Sequence, residues 1–283
     1  MSHPQRLKLL LQRSKLLIAP GAYDAISART IEQAGFEAVY MTGSGTSAAR
    51  GFPDFGLVTM TEMAENAGVI ARSVSIPLIA DADTGYGNEL NVTRTVREYE
   101  ARGVAGLHIE DQVSPKRCGH LDGKEIVSRA EFLIKIRAAV QARRDPDFLI
   151  IARTDARASH GLDEAIGRAN DALAAGADMV FVEAPQTVDE MAAIPEQVRG
   201  PCMLNIVPGG KTPVVSLDDV QAMGYRLAIL PGILLRSAIA TFDQVLADLA
   251  DTRLPKVATG QDALQKGFQR FGADEWNALR HSN

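Results

Sequence analysis

Eight short apolar runs recur along the chain at fairly even intervals, and each is rich in aliphatic or β-branched residues. Their apolar character is nearly continuous rather than alternating, which is typical of parallel strands buried on both faces of a sheet. The pattern therefore predicts eight strands, at residues 16–19, 38–41, 77–81, 106–110, 148–153, 179–183, 202–206 and 227–231.

Segments with helical periodicity separate these runs. Several of them close with a glycine where a helix needs a C-terminal cap: Gly35, Gly103, Gly176 and Gly224. Eight strands that are each followed by a helix predict the α/β class and a (β/α)8 TIM barrel. A doubly wound open sheet is the alternative, because a sequence does not reveal whether a sheet closes. We assign residues 1–283 to a single β/α-barrel domain.

Two segments depart from this alternation. The link at residues 111–128 is about three times the usual length of a strand-to-helix loop, and long loops in compact domains commonly act as lids or binding loops. We call it the lid loop. Residues 250–283 form a polar tail that we interpret as a helical arm. Its Phe268, Phe271 and Trp276 need burial, so we expect the arm to pack against another subunit.

Charge and cysteine content narrow the range of partners. The chain has 30 basic and 35 acidic residues, a net charge of -5, and its basic residues are dispersed, so nucleic acid is not an expected partner. Two cysteines are too few for a disulfide framework and indicate a reducing compartment, the cytoplasm. No apolar stretch approaches the roughly 18 residues of a membrane helix. We expect a soluble protein.

Polar residues follow the predicted strands at the end where β/α barrels carry their chemistry. Asp81 and Asp83 lie two residues apart in an extended segment and project to the same side, and Glu110 comes from the next strand. Three converging carboxylates repel one another unless a divalent cation lies among them, and all-oxygen ligands favour Mg²⁺, with Mn²⁺ as the alternative, over Zn²⁺. Otherwise one aspartate caps a helix and another pairs with Arg153.

Two further strand ends suggest groups that bind anions. Gly43, Ser44 and Gly45 form a small-residue loop whose backbone N–H groups could hold a carboxylate or phosphate, although a plain turn explains the same residues. Arg153 offers a planar, two-pronged partner for a carboxylate. A structural ion pair between Arg153 and Glu183 is the alternative.

The lid loop contains Cys118, flanked by Lys116, Arg117 and His120. Nearby positive charge lowers the pKa of a thiol, so we expect this one to exchange a proton near neutral pH. Glycines in the loop would let it close over a substrate and exclude water. An incidental cysteine in a basic segment is the simpler reading. Cys202 opens an apolar strand and is assigned to the core.

Five motifs resemble the isocitrate lyase and phosphoenolpyruvate mutase superfamily over about residues 15–240: PGAYDAISA, DADTGYG, IEDQVSPKRCGH, IARTDA and GGKTP. The KRCGH segment is similar to the catalytic signature of the lyase branch. Within that branch the chain looks most like the 2-methylisocitrate lyases and 2,3-dimethylmalate lyases.

The resemblance implies a barrel whose eighth helix is exchanged between the subunits of a homotetramer. It implies Mg²⁺ at Asp81, Asp83 and Glu110. The residues that it places near the substrate are Thr42, Gly43, Ser44, Asp54, Arg153, Glu183 and Asn205. It makes Cys118 the general acid, and the catalytic group comprises Cys118, Lys116, Arg117, His120 and Arg153.

The implied reaction splits a substituted malate, a di- or tricarboxylate, into pyruvate or glyoxylate and a second carboxylate, with Thr42 or a metal-polarised water as base. The run Thr42-Gly43-Ser44 differs from that of committed methylisocitrate enzymes, which leaves the substrate open. Pro231 favours the lyases over relatives that hydrolyse oxaloacetate. The alternatives are a phosphonomutase or phosphonopyruvate hydrolase, an oxaloacetate-acting member, and a non-catalytic protein that binds carboxylates.

Overall fold

Eight parallel strands close into a barrel in the computed structural model of the chain, which describes residues 1–121, 123–255 and 263–280. The strands are β1 (Leu17–Ala22), β2 (Val39–Met41), β3 (Leu78–Asp81), β4 (Gly106–Glu110), β5 (Leu149–Thr154), β6 (Met179–Val182), β7 (Cys202–Asn205) and β8 (Leu227–Leu230). Strand β1 pairs with both β2 and β8. The predicted TIM barrel is confirmed, and the open-sheet alternative is wrong.

Helices connect the strands and surround the barrel. In the first half they are α1 (His3–Leu11), α2 (Ala25–Gln33), α3 (Gly43–Ala49), α4 (Met60–Ser73), α5 (Glu89–Ala101) and α6 (Arg129–Ala142). In the second half they are α7 (Arg157–His160), α8 (Leu162–Ala174), α9 (Val188–Gln197), α10 (Leu217–Ala222), α11 (Ile233–Thr252), α12 (Ala263–Arg270) and α13 (Ala273–Leu279).

Local sequence signals account for many of the helix ends. Asp24 and Ser27 form a reciprocal capping box at the start of α2, and Thr59 and Glu62 do the same at α4. The four predicted cap glycines all adopt left-handed φ angles, between 83° and 106°. Glycine takes this conformation without a steric penalty, so the chain can leave the helix and enter the next strand.

Helix α1 closes the N-terminal end of the barrel. Its Leu7 and Leu10 join the cluster of apolar side chains inside the strands, and its Arg6 donates a hydrogen bond of 2.9 Å to the carbonyl oxygen of Ser75, just before β3. This end is filled by packed apolar side chains. Polar groups buried at the strand ends therefore collect at the opposite, C-terminal end of the barrel.

The chain divides into two compact units, Met1–Leu235 and Arg236–Asn283. The predicted arm, 250–283, falls within the second unit, although its residues 256–262 and 281–283 lie outside the described residues. Large apolar side chains in the second unit are exposed, among them Ile239, Phe242, Leu246, Leu249, Phe268, Phe271 and Trp276. Among the described helices, none is long and apolar enough to cross a membrane.

Candidate active site

The predicted carboxylates stand at the C-terminal ends of β3 and β4, and all are almost fully buried. Asp81 is the last residue of β3, and Asp83 lies in the turn that follows, at a φ of 45°. Asp81 accepts hydrogen bonds from the backbone N–H of Asp83 (3.0 Å) and of Gly43 (3.2 Å). Glu110 ends β4 and has no exposed surface.

These carboxylate oxygens have few partners among the described residues: Asp83 Oδ1 pairs with the Lys116 ammonium, Glu110 Oε2 pairs with the Arg153 guanidinium, and Glu110 Oε1 accepts no hydrogen bond. Burial raises the pKa of Asp83 to about 6 and raises that of Glu110 well above its ordinary value. A buried anionic oxygen without a hydrogen bond is costly, and such oxygens are typical of a site that binds a cation.

Lys116 reaches this group from the lid loop. Its Nζ lies 2.5 Å from Asp54 Oδ1 and 2.9 Å from Asp83 Oδ1. Burial by itself would lower the pKa of Lys116, but Asp83 and Asp54 outweigh burial and raise it well above its ordinary value. The ammonium group therefore stays charged and holds the loop against the end of β3.

The acidic residues suit Mg²⁺ by type but are not arranged as a compact set of ligands. No group of three or more His, Cys, Asp or Glu side chains in the described part of the chain surrounds a single point. Mg²⁺ commonly keeps several of its waters and needs only one or two carboxylates directly. Glu110 Oε1, which accepts no hydrogen bond from a described residue, and the neighbouring carboxylate of Asp83 fit such a hydrated ion.

A buried aromatic pair supports Asp81 from beneath. The Tyr40 hydroxyl lies 2.8 Å from His108 Nε2 and donates a hydrogen bond of 3.5 Å to Asp81 Oδ2. Burial lowers the pKa of His108 to about 4, so its ring is neutral between Tyr40 and the edge-on ring of Phe181. The imidazole is therefore part of the framework under Asp81.

Arg153 lies at the neighbouring strand end and is held by two carboxylates. Its Nε and Nη2 donate to the two oxygens of Asp155 (2.9 and 3.2 Å), and its Nη1 lies 3.1 Å from Glu110 Oε2. Among the ion pairs of the described residues, none joins Arg153 to Glu183, Asp81 or Asp83, so the structural alternatives in which Arg153 pairs with one of them are wrong. The guanidinium group also packs over the ring of Phe181.

Glu183 at the end of β6 meets a residue of the lid loop. Asn205 Nδ2 donates to both oxygens of Glu183 at 3.3 Å, and His120 Nε2 lies 3.0 Å from Oε1. The backbone N–H of Lys211 donates to His120 Nδ1 at 3.1 Å. Because Nδ1 accepts a hydrogen bond, the neutral ring carries its proton on Nε2 and donates it to Glu183.

The lid loop is closed over these groups. A Cβ atom at Gly119 would lie 2.5 Å from both Arg153 Nη2 and Glu183 Oε1, so the loop backbone rests directly on them and a larger residue would displace one of these side chains. Lys124, near the other end of the loop, donates to the Gly119 carbonyl oxygen and pairs with Asp155 at 2.8 Å. The closed loop separates the strand ends from solvent.

The structure corrects the expectation for Cys118. The pKa of this half-buried thiol is raised, chiefly by burial, and the nearby carboxylates of Asp54 and Glu183 add to the effect. The cations expected to lower it point elsewhere, because Lys116 pairs with aspartates and Arg117 is exposed. The backbone N–H of His120 offsets only part of the effect. The thiol therefore keeps its proton at neutral pH.

The loop of small residues after β2 becomes the first turn of α3. Thr42 caps the helix and accepts a hydrogen bond of 3.3 Å from the N–H of Gly45, and its hydroxyl lies 3.0 Å from Ser44 Oγ. The N–H of Gly43 is directed to Asp81. The segment is therefore the start of a helix rather than a plain turn, and Thr42 and Ser44 bring two hydroxyl groups to the rim.

Residues 7–250 match the phosphoenolpyruvate phosphomutase family. The chain belongs to this family. It is 50% identical over 232 residues to a 2,3-dimethylmalate lyase from Eubacterium barkeri, covering 82% of this chain and 80% of the relative. It is 40% identical to a 2-methylisocitrate lyase from Aeropyrum pernix, covering 93% and 83%.

Solved structures of the family superpose over almost the whole chain. An oxaloacetate acetylhydrolase in complex with 3,3-difluorooxalacetate matches with a TM-score of 0.94 at 40% identity, covering 98% of this chain and 96% of that one. A phosphonopyruvate hydrolase complex with oxalate and Mg²⁺ matches with a TM-score of 0.87 at 32% identity, covering 100% and 99%. The predicted superfamily is confirmed, and the two curated relatives support a carbon–carbon lyase.

Three residues that contribute to the site in this chain were not among the predicted site residues: Tyr40, Lys124 and Asp155. Asp155 follows Arg153 by two residues, and that i, i+2 spacing at a strand end was a usable signal. Lys124 lies in a loop already predicted to be a lid. Tyr40 lies within an apolar run that forms a buried strand, and no sequence pattern distinguishes it from a core residue.

Proposed function

We propose that this enzyme cleaves the carbon–carbon bond of a substituted malate such as 2,3-dimethylmalate or 2-methylisocitrate, in a reaction that depends on Mg²⁺. The products are a 2-oxo acid, pyruvate or glyoxylate, and a carboxylate. One observation carries the proposal: a group of buried carboxylates, in which Glu110 Oε1 accepts no hydrogen bond from a described residue, lies beside Arg153 and beneath a lid loop that carries a protonated thiol. The 50% identity to a 2,3-dimethylmalate lyase supports the substrate class.

Asp81, Asp83 and Glu110 are the proposed residues for Mg²⁺ or Mn²⁺, with Asp54 nearby. Oxygen-only donors suit either ion, and a related phosphonopyruvate hydrolase was solved with Mg²⁺. When bound, the ion would supply positive charge for the substrate oxygen that becomes a carbonyl. Lys116 keeps Asp54 and Asp83 close together from the lid side.

The substrate carboxylates are proposed to bind Arg153 and the groups around it. The guanidinium has five N–H donors, and its contacts with Asp155 and Glu110 leave an N–H on each Nη nitrogen for a ligand. Asn205 supplies an amide group next to Glu183, and Thr42, Gly43 and Ser44 supply donors from the β2 end. This surrounding is polar throughout, as a dicarboxylate requires.

Cys118 is the proposed general acid, with His120 placing the loop against Glu183. A base, for which Thr42 is the candidate side chain, would take the proton of the substrate's 2-hydroxyl as its carbonyl forms. The electron pair of the broken carbon–carbon bond then stays on the carbon that bears the carboxylate of the leaving fragment. The thiol donates its proton to that carbon, a role worth about 10² to 10⁴ in rate. A general acid must hold a proton before the reaction, and the raised pKa of Cys118 meets this need. Closure of the loop keeps water from competing.

A product assay tests the proposed function. Purified enzyme is given Mg²⁺ and, separately, isocitrate, methylisocitrate, dimethylmalate, oxaloacetate and phosphonopyruvate, and pyruvate and glyoxylate are measured. We expect a 2-oxo acid from one of the substituted malates and none after chelation with EDTA. Turnover of phosphonopyruvate alone would overturn the proposal in favour of phosphorus chemistry, and no turnover at all would favour a binding protein.

Hydrolysis of oxaloacetate is a second candidate. It is favoured by the oxaloacetate acetylhydrolase complex, which superposes with a TM-score of 0.94. Both reactions break a carbon–carbon bond of a 2-oxygenated dicarboxylate, so one barrel rim could accommodate either. In the same panel, oxalate and acetate formed from oxaloacetate would identify this activity.

We further propose a cytoplasmic homotetramer in which the C-terminal arm is exchanged between subunits. Both cysteines are free, which suits a reducing compartment. On α11, Ile239, Phe242, Leu246 and Leu249 recur at helical spacing and are between 41% and 61% exposed. A stripe of this kind is usually covered by protein. Light scattering should give four times the mass of one chain, and a monomer would contradict the assembly.

A further inference from the structure

We propose that Lys124 is a positioning residue that couples closure of the lid loop to the orientation of Arg153, and that it acts through the carboxylate of Asp155. The inference deepens the proposed function, because it takes Arg153 as the group that binds a substrate carboxylate. Its test measures the loop without any substrate, so it can fail or succeed independently of that function.

The surroundings of Lys124 are unusual for a loop lysine. Its side chain is only 2% exposed, and the ammonium group meets Asp155 Oδ1 at 2.8 Å. The same group donates to the carbonyl oxygen of Gly119, five residues earlier in the loop. A buried lysine needs such partners to remain charged, so this side chain is held in one position rather than solvated.

Asp155 is shared between the loop and the strand end. Its Oδ1 accepts from Lys124 and from Arg153 Nη2, and its Oδ2 accepts from Arg153 Nε. Its backbone N–H donates to Asp111 Oδ1 at 2.8 Å, which fixes the residue itself. One fully buried carboxylate therefore balances two buried cations. Removal of either cation changes the electrostatic environment of the other.

Gly119 completes the link. It is the residue whose backbone rests on Arg153 and Glu183, and Lys124 holds its carbonyl oxygen. A single ammonium group thus fixes both the innermost point of the closed loop and the carboxylate that aligns the arginine. When the loop opens, Asp155 loses Lys124 and keeps Arg153 as its cationic partner among the described residues.

Alkylation of the two cysteines provides the test. Cys118 is half-buried in the loop, whereas Cys202 is 1% exposed in the barrel wall and reports on opening of the whole domain. The full-length chain is treated with iodoacetamide without substrate, and each site is followed by mass spectrometry. For Lys124→Met we expect Cys118 to react about tenfold faster, which corresponds to ~1.4 kcal/mol, with Cys202 unchanged.

Lys135→Met is the matched control. Lys135 is also a buried lysine paired with an acid, Glu131 at 3.9 Å, but it lies on α6 outside the loop. We expect its variant to leave the Cys118 rate at the parent value. Lys124→Arg keeps the charge and should recover most of the protection. An unchanged Cys118 rate in Lys124→Met, or an equal rise at Cys202, would overturn the proposal.

A double-variant cycle tests whether Lys124 acts through Asp155. Asp155→Asn alone should also speed the alkylation of Cys118. If the two residues act as one unit, the double variant reacts no faster than the faster single variant. Rates that multiply would mean that the residues act independently, and would overturn the coupling.

Discussion

The two sides of the barrel rim differ in their balance of charge: one has a surplus of carboxylates and the other has equal numbers of carboxylates and cations. The β3–β4 side contains four carboxylates and one cation: Asp54, Asp81, Asp83, Glu110 and Lys116. The β5–β7 side contains two carboxylates and two cations: Asp155, Glu183, Arg153 and Lys124. Both sides are buried to a similar degree, so the difference lies in how their charges are compensated.

The comparison separates two tasks that a single rim performs. A surplus of buried carboxylates over cations destabilises a protein, and the surplus on the β3–β4 side is explained when an external cation completes that side. The β5–β7 side compensates its own charges, and Arg153 is held by Asp155 on that side and by Glu110 from the other side. The lid loop supplies Lys116 to the β3–β4 side and Lys124 to the β5–β7 side. Closure of the loop therefore changes the charge balance of both sides.

The largest effect is expected where the two sides meet, at the thiol. Cys118→Ser replaces a proton donor with one of much higher pKa and should lower turnover by about 10² to 10⁴. Substrate binding should change little, because the carboxylate-binding groups stay intact. Single-turnover and binding measurements on the substrate identified by the product assay check both. Near-normal turnover would remove Cys118 from the reaction.

Neutralising one carboxylate on each side tests whether the two sides differ in how their charges are compensated. Asp155→Asn leaves Arg153 and Lys124 without their shared partner and should lower the free energy of unfolding by about 3 to 5 kcal/mol. Glu110→Gln weakens one contact of Arg153, which keeps Asp155, and removes a carboxylate from the side that has a surplus, so it should cost much less when no metal is added.

Urea unfolding followed by circular dichroism, in EDTA, measures both variants. The parent protein in EDTA is the reference. Equal losses for Asp155→Asn and Glu110→Gln would show that the two sides do not differ in the way that their ion pairs suggest.

Metal affinity sharpens the same contrast. Asp83→Asn on the β3–β4 side should weaken binding of Mg²⁺ by about 10- to 100-fold. Glu183→Gln on the other side should leave it near the parent value, because Glu183 contacts Asn205 and His120 instead. Calorimetric titration of the substrate-free enzyme with Mg²⁺ measures the affinity of each variant. A similar loss of affinity in both variants would place the ion elsewhere.

The smallest effect concerns the pH dependence of Cys118. Its raised pKa means a smaller thiolate fraction at a given pH than an ordinary thiol has, so the rate of alkylation should keep rising with pH above 9. Cys202, whose pKa burial raises to about 12, should stay less reactive throughout. A Cys118 rate that levels off below pH 8 would instead indicate an activated thiolate.

Much of the fold could be predicted because its signals are local. Continuous apolar runs marked all eight strands within a few residues, and glycines such as Gly35 and Gly176 marked helix ends by their left-handed backbone. The strand-end position of Asp81, Glu110 and Arg153 followed from the same runs. These inferences need only the periodicity of a chain segment and the rule that parallel strands end at one rim.

What the chain itself determined is the inventory: a barrel, a long loop with a thiol, and acids and an arginine at the strand ends. Only the tertiary structure decided the partners. The positive charges near Cys118 in the sequence predicted a lowered pKa for its thiol. In the folded protein Lys116 pairs with Asp54 and Asp83 instead, and burial raises the pKa of the thiol. Desolvation and ion pairing depend on distances between residues far apart in sequence, and a closed loop sets those distances only after the barrel has formed.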